Sequence, residues 1–356
     1  MHSNKNVVLM KQVNITMKSI MKFTIIITSE GRKDFLTKAM KSVVDQTLDR
    51  KFFEILLIKN FFDAEIEAFC KLNDIQCLEK PSRELLRSVI FNINYINGDY
   101  VCFLDDDDMY NTDKLERLYR IFEVNTKITY YHHSQIFIDE NDNELDYSRF
   151  PNIYGKFELN SLNLQRSQLR RFLEVGGDFN NSSICISSRI LKDSKEAINL
   201  SSGGTDSFLF YAALAFEGII VHDPITLTKY RVHTSTSNSL DPRNIEIPAM
   251  LSFYERAIIG LTAIHKLTLP KIAESFLNDD IRNYKARFDI LSSMNKYKIR
   301  YSEFILLQLR VILNGKKYSL IISILYILFL INPQLSKKMY LANKYTKPKK
   351  FEVSVS

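Results

Sequence analysis

The chain has 356 residues, 46% hydrophobic and 25% charged, a composition typical of a globular protein with a large core and up to two structural units. Its four cysteines show no CxxC spacing, which indicates a reducing compartment and argues against a structural zinc site. The net charge of +7 lies wholly between Gly315 and Ser356, where eight lysines accompany one acid. A nucleic-acid-binding protein would carry such charge along its folded domain, so we predict instead a tail that meets an anionic surface.

The first 20 residues are polar and lack the apolar run of a signal peptide. We interpret them as a disordered extension or as the result of a start codon assigned too early, because the segment from Met21 reads as the natural beginning of a strand. The predicted organisation has three parts: an extension over 1–20, an α/β domain over 21–240 and a helical region over 241–356.

From Phe23 onward, strand and helix patterns alternate along the chain. The predicted strands are Phe23–Thr28, Phe53–Ile58, Ile75–Leu78 and Tyr100–Leu104, and the helices between them are Lys33–Asp45, Asp63–Leu72 and Ser82–Ile96. This order predicts an α/β fold with a doubly wound, mostly parallel sheet. A further strand is expected at Ile128–Ile138.

Four consecutive aspartates, Asp105 to Asp108, directly follow the predicted strand Tyr100–Leu104. They emerge at the carboxyl end of the strand, the edge at which open α/β sheets bind ligands. Four adjacent like charges repel one another and require a nearby cation. Oxygen ligands at alternate positions of an extended chain point to one side and suit Mg²⁺ or Mn²⁺. The pattern therefore favours a divalent metal site, and a solvated acidic turn before a helix near Thr112 is the alternative.

Five blocks of sequence occur along the chain in a definite order. They are TSEGRKDFLTKAMKSVVDQT, FFEILLIKN, NGDYVCFLDDDDMY, GGTDSFLFYAALAFEG and LTKYRVHTSTS. In this order and spacing they resemble the family 2 glycosyltransferases, and the resemblance extends from about Phe23 to Ser239. It implies a GT-A-type fold, here followed by a C-terminal helical region, and an enzyme that uses a nucleotide-sugar.

The resemblance also implies roles for residues in the first and third blocks. Asp105 and Asp107 match the DxD positions, which hold a divalent metal on the donor diphosphate, and Asp106 would contact ribose or sugar. Ser29 and Arg32 lie in the loop that lines the nucleotide pocket. Independently of the family, the leaving diphosphate must be neutralised as its bond to the anomeric carbon breaks, which a bound metal achieves as a Lewis acid.

Two later residues complete the site that the resemblance implies. Asp206 matches the catalytic base, and a carboxylate can accept the proton of an attacking hydroxyl. By spacing alone, Asp206 would instead be the N-cap of the following helix. His233 lies in the closing YRxH block and could complete the metal shell. The alternative for His233 is a polar residue of a Ser/Thr-rich loop.

The remaining polar candidates carry weaker signals. Arg83 and Arg87 lie four residues apart on one face of the helix before the acidic strand, and we include Arg87 among the nucleotide-contacting residues. His132 and His133 point to opposite faces of a strand and are interpreted as structural. The segment Asn181–Ser183 is a candidate turn facing the acceptor.

One departure from the family concerns the donor base. The second strand of family members usually ends in an acid that hydrogen-bonds uracil, whereas this strand ends in Lys59 and Asn60. A lysine cannot accept a hydrogen bond from the N–H of the base. UDP, GDP and dTDP therefore all remain open as donor nucleotides.

The segment Tyr318–Ile331 is uncharged over fourteen residues and is bracketed by lysine pairs. As a helix it would be about 21 Å long, short of the ~30 Å hydrocarbon core of a bilayer. Because it is apolar on all faces and lysines can reach lipid headgroups, we predict a monotopic or re-entrant membrane attachment on the cytoplasmic side. A buried helix in a C-terminal bundle is the alternative.

Together these features predict a metal-dependent, inverting glycosyltransferase that uses Mn²⁺ or Mg²⁺. Its partners would be a nucleoside diphosphate sugar, a glycan or lipid-linked acceptor, and the inner face of the cell membrane, without nucleic acid. The alternative is a non-catalytic, membrane-tethered relative that binds a divalent cation or a nucleotide. Asp206 favours the enzyme, because a simple cation site would not need it.

Overall fold

A computed structural model describes residues 21–31, 33–146, 155–232, 247–299 and 317–345. The N-terminal extension, Arg32, His233, the predicted domain boundary at residue 240 and the end of the basic tail lie outside these described residues.

The described residues form nine strands and twelve α-helices. The strands are β1 (Phe23–Ser29), β2 (Phe53–Lys59), β3 (Ile75–Glu79), β4 (Tyr100–Asp105), β5 (Met109–Tyr110), β6 (Ile128–Ile138), β7 (Phe157–Asn160), β8 (Ile184–Ser187) and β9 (Ile219–Arg231). The helices are α1 (Lys33–Val44), α2 (Ala64–Leu72), α3 (Leu85–Phe91), α4 (Lys114–Val124), α5 (Arg166–Glu174), α6 (Ser188–Asp193), α7 (Lys195–Leu200), α8 (Thr205–Leu214), α9 (Ile247–Ala263), α10 (Lys271–Ser292), α11 (Lys317–Ile331) and α12 (Pro333–Tyr345).

The nine described strands form one sheet in the order β3-β2-β1-β4-β8-β6-β9-β5, with β7 paired to β9. The first four strands in this order are parallel. Strand β8 then runs antiparallel to both β4 and β6, and β6 pairs in parallel with β9. The predicted α/β architecture is therefore present, and the carboxyl ends of β1, β2 and β4 meet at one edge of the sheet.

Both faces of the sheet are covered, which explains why its strands read as continuous apolar runs. All seven residues of β1 are buried, and they alternate between the two faces. Ile26 packs in a core that includes residues of α3, α8 and α10. Ile25 and Ile27 pack in a second core with residues of α1, α2 and α4.

Two predicted elements differ from the observed ones. The helix expected over Ser82–Ile96 ends at Phe91, because the side-chain amide of Asn92 donates to the carbonyls of Glu79 and Ser88 at 2.7 and 2.9 Å and competes with continued helix. The helix expected near Thr112 begins at Lys114, because β5 pairs with β9 directly after the acidic segment.

The C-terminal helices α9 to α12 form a third core that is built on α10. The end of α10 packs with α9, α11 and α12, whereas its first half packs in the core next to the sheet. By length and composition one described helical segment, Ile247–Lys266, could cross a membrane, and 44% of its apolar window is buried within the protein. A shorter apolar stretch lies at Ile321–Ile331.

Candidate active site

The acidic loop Asp105–Asp108 leaves the carboxyl end of β4 and turns at once into β5. Asp106 and Asp108 are each 1% exposed and Asp107 is 8% exposed, so the loop is not a solvated turn. Burial raises the pKa of Asp108 well above its ordinary value, and the charges of Asp107 and Asp105 act in the same direction. Such a loop needs compensating cations in the surrounding structure.

Arg231, the last residue of β9, supplies one of these cations. Its backbone N–H donates to Asp108 Oδ1 at 2.9 Å, and its Nε donates to the carbonyl of Asp107 at 2.8 Å. The rest of the guanidinium donates to the carbonyl of Asp139 at 2.7 Å and pairs with Asp142 at 2.5 Å. The fully buried Arg231 therefore joins the acidic loop to the turn that follows β6.

Lys114, the first residue of α4, is a buried amine near the loop. Its Nζ donates to the carbonyl of Ser182 at 2.6 Å and to Thr228 Oγ1 at 3.3 Å, and it lies 3.4 Å from the centre of the Tyr110 ring. Burial lowers the pKa of Lys114 to about 7, while the negative charge of Asp108 acts in the opposite direction.

Ser29 and Asp106, both predicted to contact the donor, are brought together across the parallel strands β1 and β4. Ser29 Oγ donates to Asp106 Oδ2 at 2.6 Å and accepts from the N–H of Gly31 at 3.1 Å. The serine thus orients one carboxylate of the acidic loop. Arg32, the next predicted residue of this pocket, lies outside the described residues.

Asp206 is not the N-cap of α8, so that interpretation is wrong. The cap is Gly204, with φ +59°, preceded by Gly203 with φ +65°. Two glycines allow this left-handed entry at low cost, and they place Asp206 as the second helical residue. Its Oδ1 accepts from the N–H of Ser207 at 2.9 Å and its Oδ2 accepts from the N–H of Asn180 at 3.3 Å.

One turn, Asn180–Ser183, connects Asp206 with the acidic loop. The N–H of Asn180 donates to Asp206, and Asn180 Oδ1 accepts from the N–H of Ser182 at 3.0 Å. On the other side, Ser182 Oγ accepts from the N–H of Asp105 at 3.0 Å. The predicted base and a predicted metal ligand are therefore held on two sides of the same short turn, although they are 101 positions apart in the sequence.

Arg87 contacts the segment that leads into α8. Its Nε donates to the carbonyl of Ser201 at 2.8 Å, and its side chain lines a cavity of about 400 Å³ together with Ser82 and Lys195. Its contact with a donor phosphate stays a prediction.

Lys59, which stands where the family usually has an acid, is neutralised locally. Its Nζ pairs with Glu67 at 2.5 Å and donates to the carbonyl of Phe61 at 2.8 Å. The lysine is therefore held within the segment after β2, and the donor base stays open.

The donor set at the acidic loop fits a hard divalent cation held partly by substrate. Asp105 and Asp107 provide the carboxylate oxygens, although the chain turns at Asp106 and Asp107 and does not stay extended as the sequence predicted. Within the described ranges, no three His, Cys, Asp or Glu side chains form a metal-binding group. Mg²⁺ is often bound by one or two carboxylates, with substrate phosphates and water as its other ligands. His233, predicted as a further ligand, lies outside the described residues.

Sequence reasoning missed Arg231 and Lys114 as parts of this site, whereas Ser182 lay within the candidate segment Asn181–Ser183. Arg231 stands within the YRxH block, so its sequence neighbours were a signal. The sequence around Lys114 gave no such signal, because a lysine at the start of an amphipathic helix normally faces solvent.

Comparison with known proteins finds a family model that matches part of this chain. The Glycosyl transferase family 2 model matches residues 24–185, which contain β1, β4 and the acidic loop. Residues 24–185 of the chain are similar to the family 2 glycosyltransferases. The family prediction made from the five sequence blocks is thereby confirmed.

The relatives of this chain include a protein of teichoic acid biosynthesis. The chain is 21% identical over 303 residues to the minor teichoic acid biosynthesis protein GgaB of Bacillus subtilis. The match covers 80% of this chain but 31% of GgaB, so the chain spans about a third of that relative.

Solved structures show the same fold. Residues 1–349 of Staphylococcus aureus TarS in complex with UDP-GlcNAc superpose with a TM-score of 0.59 at 13% identity, covering 91% of this chain and 92% of that one. The mannosyltransferase PcManGT of Pyrobaculum calidifontis, in complex with GDP-Man and Mn²⁺, gives 0.50 at 10% identity, covering 89% and 87%. At these identities the likeness establishes the fold alone, and it confirms the GT-A-type α/β fold followed by C-terminal helices.

Proposed function

We propose that this protein transfers a sugar from a nucleoside diphosphate sugar to an acceptor hydroxyl, with a divalent metal as cofactor and with inversion at the anomeric carbon. The observation that carries the proposal is the Asn180–Ser183 turn, which holds Asp206 and Asp105 on its two sides. The solved structures with UDP-GlcNAc and with GDP-Man and Mn²⁺ support a nucleotide-sugar as the donor class.

Asp105 and Asp107 would hold Mg²⁺ or Mn²⁺ at the carboxyl end of β4. When bound, the metal supplies positive charge for the leaving diphosphate. Asp106 is oriented by Ser29 and would face the ribose or the sugar. Arg231 holds the carboxylate of Asp108 and the backbone of Asp107 before substrate arrives, so less ordering of the loop is needed when the donor binds.

Asp206 would accept the proton of the acceptor hydroxyl as that oxygen attacks the anomeric carbon. Its position in the first turn of α8 stabilises the negative charge of the carboxylate through the helix dipole. The attacking oxygen forms its bond on the face opposite to the departing diphosphate. A single displacement of this kind inverts the anomeric centre.

A thermal-shift screen tests the class of protein and the donor base together. UDP, GDP and dTDP are each added with Mg²⁺, with Mn²⁺ or with EDTA. We expect one nucleotide to raise the midpoint of unfolding, and to do so only when metal is present. A ligand at 100 times its Kd adds about 2.7 kcal/mol to the free energy of unfolding, which sets the size of the shift. If no nucleotide shifts the midpoint, the proposed function is wrong. Binding without transfer would favour the non-catalytic alternative.

The C-terminal helices suggest where the enzyme acts. One side of α11 packs into the third core. In this respect α11 matches the alternative prediction of a buried helix in a C-terminal bundle. Its buried residues are Ile322, Leu325, Tyr326 and Phe329, at 0 to 5% exposure. Its exposed apolar residues are Ile324, Ile327, Leu330 and Ile331, at 44 to 77% exposure.

Helix α12 also has exposed apolar residues, and it carries charge. Leu335 and Met339 are 44% and 47% exposed, and Lys337 and Lys338 lie between them in the sequence. Exposed apolar residues beside lysines match the chemistry of an anionic membrane surface. We therefore place the protein on the cytoplasmic face of the membrane, attached through α11 and α12 and acting on a lipid-linked or membrane-proximal acceptor.

We expect Ile327→Asp combined with Leu330→Asp to abolish most binding to anionic vesicles, because both side chains are exposed and charge does not enter the apolar layer. Lys337→Gln combined with Lys338→Gln should weaken vesicle binding at low salt by about fivefold per lysine. Each lysine near an anionic surface contributes ~1 kcal/mol to the binding free energy. Vesicle co-sedimentation at low and high salt measures both effects.

Leu72→Asp is the matched control for this experiment. Leu72 is 83% exposed on α2, far from α11 in sequence, and its replacement should leave sedimentation unchanged. Substitution is preferable to truncation, which would remove the buried side of α11 from the third core. If both surface variants sediment like the unmodified protein, membrane attachment through these helices is excluded.

A further inference from the structure

Two buried histidines lie beneath the loop that carries Asn180. His132 on β6 and His222 on β9 are each 1% exposed, and their Nδ1 atoms are 2.8 Å apart. His132 Nε2 lies 2.6 Å from the carbonyl oxygen of Phe179. Neither histidine has a part in the transfer reaction described above.

The contacts of this pair allow a single arrangement of protons. Burial lowers the pKa of His132 well below its ordinary value and lowers that of His222 to about 4, so both rings are neutral at pH 7. A neutral imidazole has one donor and one acceptor nitrogen. The carbonyl of Phe179 can only accept, so His132 Nε2 must carry the proton. His132 Nδ1 then accepts from the Nδ1–H of His222.

The peptide that His132 holds is the one that contacts the predicted base. The carbonyl of Phe179 and the N–H of Asn180 belong to the same peptide unit, and that N–H donates to Asp206 Oδ2 at 3.3 Å. A hydrogen bond accepted by the carbonyl of a peptide strengthens its N–H as a donor. A series of hydrogen bonds therefore runs from His222 through His132 and the Phe179–Asn180 peptide to Asp206.

The conformation of this loop depends on such support. Asn180 has φ +69°, a positive value that few residues other than glycine adopt, although asparagine adopts it more readily than most. Tyr130, two residues before His132 and on the same face of β6, donates from its hydroxyl to the carbonyl of Gly177 at 2.9 Å. Two neighbouring side chains of one strand thus hold two carbonyls of the loop.

We infer that His132, kept in one tautomer by His222, is a positioning residue that sets the orientation of the Asp206 carboxylate through the Phe179–Asn180 peptide. The inference rests on the proposed function, in which Asp206 accepts the proton of the acceptor. A carboxylate displaced by about 1 Å from its productive place can cost about 100-fold in rate. The effect should therefore appear in kcat and not in the binding of the donor.

The test compares His132→Gln with His132→Asn. Glutamine can place an N–H near the position of His132 Nε2 and so keep the bond to Phe179. Asparagine is one methylene shorter, reaches only towards His222 and loses that bond. We expect kcat within about threefold of the unmodified enzyme for glutamine and about 10- to 100-fold lower for asparagine, with the Kd of the donor nucleotide within about twofold in both.

Two further variants separate positioning from a general structural role. His133→Asn is the matched control, because His133 is equally buried on β6 and its Nδ1 lies 2.9 Å from the carbonyl of Ser134, which is not part of the loop that carries Asn180. It should keep kcat. His132→Asn combined with Asp206→Asn should transfer no more slowly than Asp206→Asn alone, since a residue that acts through Asp206 adds nothing once the base is gone.

The outcomes distinguish this inference from the proposed function. If Asp206→Asn loses transfer while His132→Asn keeps it, the positioning role is wrong and the proposed function stands. If both keep full transfer, the assignment of the base fails and the positioning role fails with it. Equal losses in His132→Asn and His132→Gln, or additive losses in the double variant, would also overturn the inference.

Discussion

Asp107→Ala should abolish metal-dependent nucleotide binding, and Asp105→Ala should weaken it somewhat less. Replacing a residue that merely orients a metal ligand already costs 10- to 100-fold in metal affinity, so losing a ligand should cost about 100-fold or more. The fold should be preserved, because two contacts that anchor this part of the loop use backbone groups, the N–H of Asp105 and the carbonyl of Asp107. Isothermal titration of the nucleotide with Mn²⁺, and with EDTA, measures the loss.

The stability of the unliganded protein gives a second readout for the same variants. Removing one of four crowded negative charges should leave the midpoint of thermal unfolding unchanged or higher. Asp99→Ala is the control, because Asp99 is exposed at the opposite end of β4, where it accepts from the N–H of Lys22. Unchanged nucleotide affinity in Asp107→Ala would show that the metal is not bound here.

Asp206→Asn should keep donor binding and lower kcat by about two to four orders of magnitude, as for the loss of a general base. The free energy of unfolding should fall by about 1 kcal/mol, since the two carboxylate oxygens each accept a backbone N–H and asparagine retains one acceptor oxygen. Transfer assays at saturating donor, together with nucleotide titration, measure both quantities.

Asp113→Asn provides the comparison for this variant. Asp113 also lies at the start of a helix, immediately before α4, but it pairs with Arg117 at 2.5 Å on an exposed surface, and its replacement should leave kcat unchanged. A rate close to that of the unmodified enzyme in Asp206→Asn would reduce this residue to a structural part of the α8 N-terminus.

Some features of the site were readable before any coordinates. The apolar run Tyr100–Leu104 followed by four aspartates predicted a buried strand with its acids at the ligand-binding edge, and β4 ends at Asp105. The alternation of strands and helices predicted the parallel half of the sheet. Both signals are local. A strand that is buried on two faces reads as a continuous apolar run, and the end of that run shows where the acids emerge.

Other features depended on contacts between distant segments. Pattern alone favoured Asp206 as an N-cap, and only the left-handed φ of Gly204 showed that the helix starts before it. The segment Tyr318–Ile331 is apolar throughout, so its sequence did not separate a membrane helix from a core helix. The fold buries one side of α11 and exposes the other, a division that depends on where α9, α10 and α12 lie.

The sequence by itself determined the family, the fold class and the chemical types of the site residues, because these follow from residue identity, spacing and local periodicity. The tertiary structure decided which residue anchors the acidic loop, namely Arg231, and what joins the loop to Asp206. It also decided that His132, which the sequence left as a structural residue, lies one peptide away from the base. The physical reason is that hydrogen bonds and charge compensation act over a few ångströms, whereas the groups they join are separated by tens to more than a hundred residues in the chain.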